Sequence, residues 1–253
     1  ILISLSIVPL LLTAGDPPEY EAPERMPIRS LFRISPIAVT GSTLSGVIMG
    51  ALFASGPLYG LDLGMTRGQA AGISVALTLA GAVAQYPAAF VADRFDRRGA
   101  LIGLAALGGL VAGFSLLQED EAALTLRFAI MSAACVPVYS VCLAHANDQL
   151  RRSQVVAAGG AMAFSLNVGL LIGMFSGPAV MDVTGRTGLM VYLLSLFALT
   201  LMVTILRRVQ RDIPEETGKV VTVGSFGQPP TAYWSAETMA VEDQRDGEGE
   251  SST

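Results

Sequence analysis

Six long apolar segments, separated by short polar connections, constrain the fold of this chain more than any other feature. A helix needs about 20 mostly apolar residues to cross a lipid bilayer. The sequence has six such segments, at residues 36–58, 68–92, 99–117, 122–146, 154–181 and 186–206. Charged residues make up only 15% of the chain, against about 25% in a typical soluble domain. We therefore predict an all-α membrane protein with six transmembrane helices.

The arginines between these segments and toward their ends predict which helix ends face the cytoplasm. Eleven of them lie in residues 15–35, 93–98, 147–153 and 207–211, which fall on one side if all six segments cross. The opposite side has three, Arg67, Arg127 and Arg186. Cytoplasmic loops of membrane proteins carry an excess of Lys and Arg. We therefore expect an integral membrane protein, in a bacterial inner membrane, with loop 15–35 and the C-terminal tail in the cytoplasm.

The regions outside the six segments are predicted to be a helix remnant, a linker and a tail. Residues 1–14 are apolar but too short to cross the bilayer, and the chain opens with Ile rather than Met. We interpret them as the end of a truncated transmembrane helix. Residues 15–35 are rich in Pro and Glu, which is typical of a solvated linker. Residues 207–253 are predicted to be a disordered acidic tail, because nine acidic residues face two basic ones from residue 212 onward.

Several kinds of partner and cofactor are not expected from the composition. The sequence has no basic cluster apart from the membrane flanks, so it predicts no nucleic-acid partner. Cys135 and Cys142 lie seven residues apart in one segment, about 10 Å along a helix, which is too far for a disulfide. A single His and the absence of a Cys/His cluster in the sequence argue against a metal site. We expect neither a cofactor nor enzymatic activity.

A charged connection lies between the second and third apolar segments. From residue 89 to residue 98 it reads A-F-V-A-D-R-F-D-R-R, with five charges in its last six positions. The pattern resembles the signature loop of the major facilitator superfamily (MFS) of transporters, G-x-L-a-D-R-x-G-R-R/K. The matching residues are Asp93, Arg94, Arg97 and Arg98, whereas Ala89 and Asp96 replace two glycines of the signature. A second resemblance, to a bacterial subgroup of the family, lies in residues 85–87 and 138–148.

The resemblance implies a function and an organisation. Residues 36–206 would be the C-terminal six-helix half of a secondary transporter, and residues 15–35 the linker from the missing N-terminal half. The two halves would alternate access to a small-molecule substrate within membrane lipid. Asp93, Arg94, Arg97 and Arg98 would form a gating loop. His145, Asn147 and Asp148 would form a cytoplasmic gate pairing with that loop, or simply the polar exit of a helix.

Polar residues inside the apolar segments are candidates for a substrate cavity, because polar groups in a membrane are costly. The candidates are Ser42, Ser45, Gln85, Arg127, Tyr139 and Asn167. Gln85 and Asn167 are expected to hydrogen-bond either a substrate or a neighbouring helix. Arg127 is expected either to extend outward to the membrane surface or to contact a substrate or gate.

A row of glycines in the fifth segment predicts a close helix contact. Gly169, Gly173 and Gly177 are spaced by four residues and therefore share one helix face. Small residues at this spacing let helix backbones approach each other in lipid. We predict that this face packs tightly against another helix.

Two other functions are alternatives to transport. A membrane sensor or scaffold would keep the six spans without needing the charged loop. Rhomboid-type intramembrane proteases pair a Ser in a G-x-S-G turn with a His in an Ala-His pair, for which Ser55 and His145 would be the candidates. Position 53 is Phe rather than Gly, and the two residues are expected about 30 Å apart along the membrane normal. A Ser–His dyad needs about 3 Å, so the geometry disfavours the protease.

Overall fold

Every regular element in the described part of the chain is an α-helix. The computed structural model describes residues 26–94, 96–117 and 121–210. The helices are α1 (Ile28–Ile34), α2 (Pro36–Asp62), α3 (Arg67–Arg94), α4 (Arg97–Ser115), α5 (Glu121–Asn147) and α6 (Arg152–Gln210). The predicted all-α fold is thereby confirmed for these residues.

Local side chains fix where two of the long helices begin. At the start of α3, the Thr66 amide donates to Gln69 Oε1 at 2.9 Å and the Gln69 amide donates to Thr66 Oγ1 at 3.4 Å. This reciprocal pair satisfies two amides that a helix start otherwise leaves without partners. Helix α2 instead begins with Pro36, whose fixed φ suits a first helical position.

Five helices in the described residues are long and apolar enough to cross a membrane. They are Pro36–Asp62, Arg67–Arg94, Arg97–Ser115, Ala123–Asn147 and Gln154–Arg207. Large apolar side chains on the outside of the bundle remain exposed, among them Val83 at 72% and Phe175 at 76%. Exposed apolar side chains on long apolar helices are typical of a protein surrounded by lipid. The chain is an integral membrane protein.

Helix α6 contains two membrane-length segments and turns back on itself at Gly185. Gly185 has φ 73° and ψ −169°, a conformation essentially restricted to glycine. The hydroxyl oxygens of Ser176 and Tyr192 lie 2.7 Å apart, whereas sixteen residues of unbroken helix would span about 24 Å. We predicted two separate spans with residues 182–185 between them. In the structure, residues 182–184 continue the first helical segment. Only Gly185 has non-helical backbone angles.

The packing order places α2 in the middle of the bundle. Helix α2 packs against the first segment of α6 (152–184) and against α5, while α3 packs on α5, and α4 on α5 and α6. One buried cluster includes Leu52, Phe128 and Phe197. The other includes Ala92 and Ala146, so it lies where α3 and α5 end. We call this the Arg97 end of the bundle, because α4 begins there with Arg97.

The last part of the predicted linker differs from the expectation of a solvated loop. Residues 28–34 form helix α1, whose Leu31 is fully buried in the cluster at the Arg97 end. Burial of this one apolar side chain, with Arg29 and Arg33 exposed, explains why the segment folds onto the bundle. The predicted helix remnant 1–14, the linker up to residue 25 and the tail from residue 211 lie outside the described residues.

Candidate functional site

The charged residues of the signature-like loop belong mostly to helices. Helix α3 runs through Asp93 and Arg94, and α4 begins at Arg97. Only residues 95 and 96 separate the two helices, so the connection is shorter than the six-residue loop that we predicted. The reason is that charged residues are compatible with helix ends, where a basic side chain in the last turn also interacts favourably with the helix dipole.

Asp96, which replaces a glycine of the signature, caps helix α4. Its carboxylate oxygens accept hydrogen bonds from the amides of Arg98 and Gly99, each at 3.1 Å. An aspartate at this position satisfies two free amides and places negative charge at the positive end of the helix dipole. The substitution thus fixes the start of α4 through a side chain.

Arg97 connects three helix ends. Its Nη2 lies 3.7 Å from Asp93 Oδ1 at the end of α3, and its Nη1 lies 2.5 Å from Asp148 Oδ2 just after α5. The Asp148 contact is close, but Nη1 makes no directed hydrogen bond there. The Arg97 side chain is 25% exposed, and the two carboxylates are more than half exposed. The structure thus brings together Asp93 and Arg97 of the predicted gating loop and Asp148 of the predicted cytoplasmic gate.

The other predicted gate residues have different partners. The guanidinium of Arg94 lies over the Phe90 ring, 5.9 Å from its centre, within the range of a cation–π interaction. His145 Nε2 is 3.1 Å from Gln149 Nε2. Asn147 Oδ1 is buried and has no hydrogen-bond partner among the described residues. Arg94 and His145 thus each contact a residue four positions away along the chain.

Two predicted cavity residues make buried hydrogen bonds between helices. Ser42 donates to the Met162 carbonyl at 3.2 Å, which joins α2 to α6. Ser45 donates to the Cys135 carbonyl at 3.1 Å, and the Cys135 thiol donates to the Ser45 carbonyl at 3.2 Å, which joins α2 to α5. Both serines are buried. Hydrogen bonds of this kind between neighbouring helices help to hold helices together in lipid.

The remaining predicted cavity residues do not form one cluster. Gln85 and Asn167 are exposed on α3 and α6, and Asn167 donates to the Ala163 carbonyl of its own helix at 2.8 Å. Tyr139 is half-buried on α5. Arg127 is buried among other residues, with 6% of its surface exposed.

The glycine row of α6 lies directly against α2. A methyl group at Gly169 would overlap the Thr43 carbonyl oxygen, and one at Gly173 would overlap the Val47 carbonyl oxygen. One at Gly177 would lie 2.6 Å from Ser55 Oγ. From α2, Gly46 and Gly50 approach α6 in the same way. The five glycines form what we call the glycine seam, where the α2 and α6 backbones are in direct contact.

The ion pair at the opposite end of the bundle was missed in the sequence. Arg186 Nε lies 3.3 Å from Asp62 Oδ2, so the end of α2 is joined to the start of the second segment of α6 (186–210). The sequence places Asp62 and Arg186 near the ends of two predicted spans, on the same side of the membrane. It does not show that they pair, because Arg67 is predicted on that side as well.

The geometry at Ser55 gives no support to hydrolytic chemistry. Ser55 of α2 is fully buried against Gly177 of α6, near the Asp62 end of its helix. His145 lies in the last turn of α5 at the Arg97 end and contacts Gln149. The interhelical bonds of Ser42 and Ser45 show other buried serines in structural roles.

Comparison with known proteins identifies relatives of this chain. Residues 38–238 match the Major Facilitator Superfamily. The chain is 29% identical over 174 residues to the Uncharacterized MFS-type transporter YcaD of Salmonella arizonae, and likewise to the YcaD proteins of Salmonella paratyphi B and Salmonella newport. These matches cover 68% of this chain and 45% of each relative. The chain thus spans about half the length of the curated relatives that it matches.

Proposed function

The chain belongs to the major facilitator superfamily, a family of membrane transporters, and we propose on this premise that it is one half of a small-solute carrier. In this proposal the bundle of α2 to α6 is the C-terminal half. It rocks against a second six-helix half, so that a site between the halves opens to each side of the membrane in turn. Membrane lipid, the second half and a small solute are its partners.

The contacts of Arg97 carry the proposal. A carrier half that rocks as one body needs its helices joined to one another. Arg97 lies within ion-pair distance of carboxylates at the end of α3 and just after α5, and it is itself the first residue of α4. The Asp62–Arg186 pair joins two helices at the other end in the same way. The Arg97 contacts and the Asp62–Arg186 pair both favour motion of the half as one rigid body.

The length of the relatives supports the proposal that this chain is one half of a carrier. The match covers 45% of each relative, which leaves room in those proteins for a second bundle of similar size. The linker predicted at residues 15–35 and the apolar residues 1–14 fit the junction between two such halves.

A counterflow assay tests this function without knowing the direction of transport. The complete carrier, made by joining this chain to the segment encoded by in-frame upstream DNA, is reconstituted in liposomes that are loaded with a metabolite panel. We expect labelled uptake of at least one solute. A carrier that is folded and inserted, yet exchanges no solute of a broad panel, would favour the sensor or scaffold instead.

A further inference from the structure

His145, the single histidine of the chain, lies within electrostatic reach of the contact between Arg97 and Asp148. It is half-buried in the last turn of α5. The charged groups that act on its ring are Arg97, Arg98 and Asp96 at the start of α4, and Asp148 just after α5. Both partners of the Arg97–Asp148 contact are therefore close enough to respond to a change in the charge of His145.

The contact of His145 with Gln149 fits only a neutral ring. Gln149 Nε2 lies 3.1 Å from His145 Nε2 and 3.4 Å from the His145 carbonyl oxygen. A carbonyl oxygen only accepts hydrogen bonds, so the amide group of Gln149 presents its nitrogen, which only donates. His145 Nε2 is then the acceptor, and it accepts only when it carries no proton. A protonated ring would set two donors against each other and would release Gln149.

A protonated His145 would also compete for the carboxylate of Asp148. The Asp148 amide donates to the Ala144 carbonyl at 3.2 Å, so the helical turn continues through residue 148 and positions 145 and 148 are neighbours on its surface. Arg97 Nη1 lies close to this carboxylate but makes no directed hydrogen bond there. A contact held by charge alone weakens when a second cation approaches the carboxylate. Arg97 still has Asp93 of α3 at 3.7 Å.

We propose that His145 is a pH-sensitive switch of the contact between Arg97 and Asp148. The neutral ring accepts from Gln149 and leaves the carboxylate of Asp148 to Arg97. The protonated ring releases Gln149, repels Arg97 and Arg98, and draws Asp148 away from Arg97. Acid at the Arg97 end thus loosens the link between the start of α4 and the end of α5. Histidine is the side chain whose charge ordinarily changes between about pH 5 and pH 8, so moderate acid is sufficient.

A double-mutant cycle at two pH values tests the proposal. Arg97→Gln, Asp148→Asn and the double variant are made in the full chain, and melting temperatures in detergent are measured at about pH 7.5 and about pH 5. The coupling is the part of the melting-temperature change by which the double variant departs from the sum of the single variants. We expect a coupling of about 2 °C at the higher pH and less than half of it at the lower pH. In a His145→Gln background, where position 145 gains no proton, the coupling should be the same at both.

The Asp62–Arg186 pair at the opposite end of the bundle is the matched control. Its arginine and aspartate are 30% and 57% exposed, against 25% and 55% for Arg97 and Asp148. Its coupling, measured with Arg186→Gln and Asp62→Asn, should not change between the two pH values. NMR of the histidine-labelled chain follows the protonation of His145 directly, because the chain has one histidine. If the Arg97 variant does not fold, Asp148→Asn alone is compared at both pH values, with His145→Asn as a second neutral background.

Three results would overturn the proposal. A His145 ring that is still neutral at about pH 5 would remove the protonation step. A coupling that stays constant while the ring gains its proton would make the ring and the contact independent, and an equal loss at the Asp62–Arg186 pair would assign the effect to acid in general. In the complete carrier the switch makes solute exchange depend on pH at the Arg97 end, a consequence that rests on the proposed function. A carrier that exchanges no solute, while the chain shows the expected coupling, would count against the proposed function alone.

Discussion

At the scale of single residues, Arg94, Arg97 and Arg98 carry the same charge but have different surroundings. Arg97 is three-quarters buried and faces two carboxylates. Arg94 rests on an aromatic ring, and Arg98 contributes its amide to the Asp96 cap. Substitutions in this short stretch should therefore differ in effect, and Arg97 is the one expected to connect helices.

Asp93→Asn should slow transport by the complete carrier without weakening solute binding or stability much. Its contact with Arg97 is 3.7 Å long and the carboxylate is 68% exposed, so the pair contributes no more than about 1 kcal/mol. Counterflow rates, solute affinity and melting temperature are measured together. Asp182→Asn, an exposed carboxylate beyond the glycine seam, is the matched control. Lost solute binding in a folded Asp93→Asn carrier would make Asp93 a ligand and contradict the gating role.

Ser45→Ala should lower the free energy of unfolding by about 0.5–1.5 kcal/mol, because it removes the buried bond to Cys135. The solute preferences of the complete carrier should stay the same. Thr43→Ala is the control, since Thr43 donates within its own helix to Val39, and its change should be smaller. An altered KM with unchanged stability would instead assign Ser45 to the substrate cavity.

At the scale of helices, the glycine seam is a direct contact between two backbones. The α2 and α6 backbones touch where a side chain as small as a methyl group would overlap carbonyl oxygens. Neither backbone can move aside without disturbing its own hydrogen bonds, so the contact tolerates only glycine. The first segment of α6 and α2 are therefore expected to move together.

Gly173→Ala should destabilise the bundle by about 1–3 kcal/mol, the usual cost of overpacking, and Gly173→Leu by more. The control is Gly160→Ala on the same helix segment, where an added Cβ meets no atom within 4 Å. That variant should be neutral or slightly stabilised, since alanine favours helix over glycine. Denaturation in detergent measures both. Equal stability of the Gly173 and Gly160 variants would mean that the row faces lipid.

The helices were predictable from the sequence, but the directions of their polar residues were not. Long apolar runs leave few alternatives to a helix in lipid. Ser45 and Asn167 are both polar residues in apolar segments, yet one is buried and the other exposed. In a soluble helix the polar face shows its rotation, whereas in lipid the outer face is apolar as well. The glycine spacing was informative, because it depends on backbone approach and not on polarity.

Pairs between helices were harder still to predict. Arg97 and Asp148 are 51 positions apart, and their contact depends on how α3, α4 and α5 pack together. The sequence predicted that the two charged stretches lie on one side of the membrane, and left open whether they form a gate or a plain helix exit. The Asp62–Arg186 pair depends in addition on the reversal at Gly185.

At the scale of the whole molecule, the membership in a transporter family confirms the predicted family and a non-enzymatic membrane protein. The orientation in the membrane, the six crossings and the missing half stay predictions. These three predictions are connected. The arginine pattern, the reversal at Gly185 and the length of the relatives all suit a six-helix body that pairs with a second six-helix body.

The most direct test of this account compares the chain alone with the complete carrier in the same counterflow assay. Both proteins are reconstituted at equal amounts, and their insertion is checked by protease protection of the predicted cytoplasmic tail. We predict that the complete carrier exchanges a solute and that the chain alone, although inserted, exchanges none. Solute exchange by the chain alone at the rate of the complete carrier would contradict the claim that it is half of a transporter.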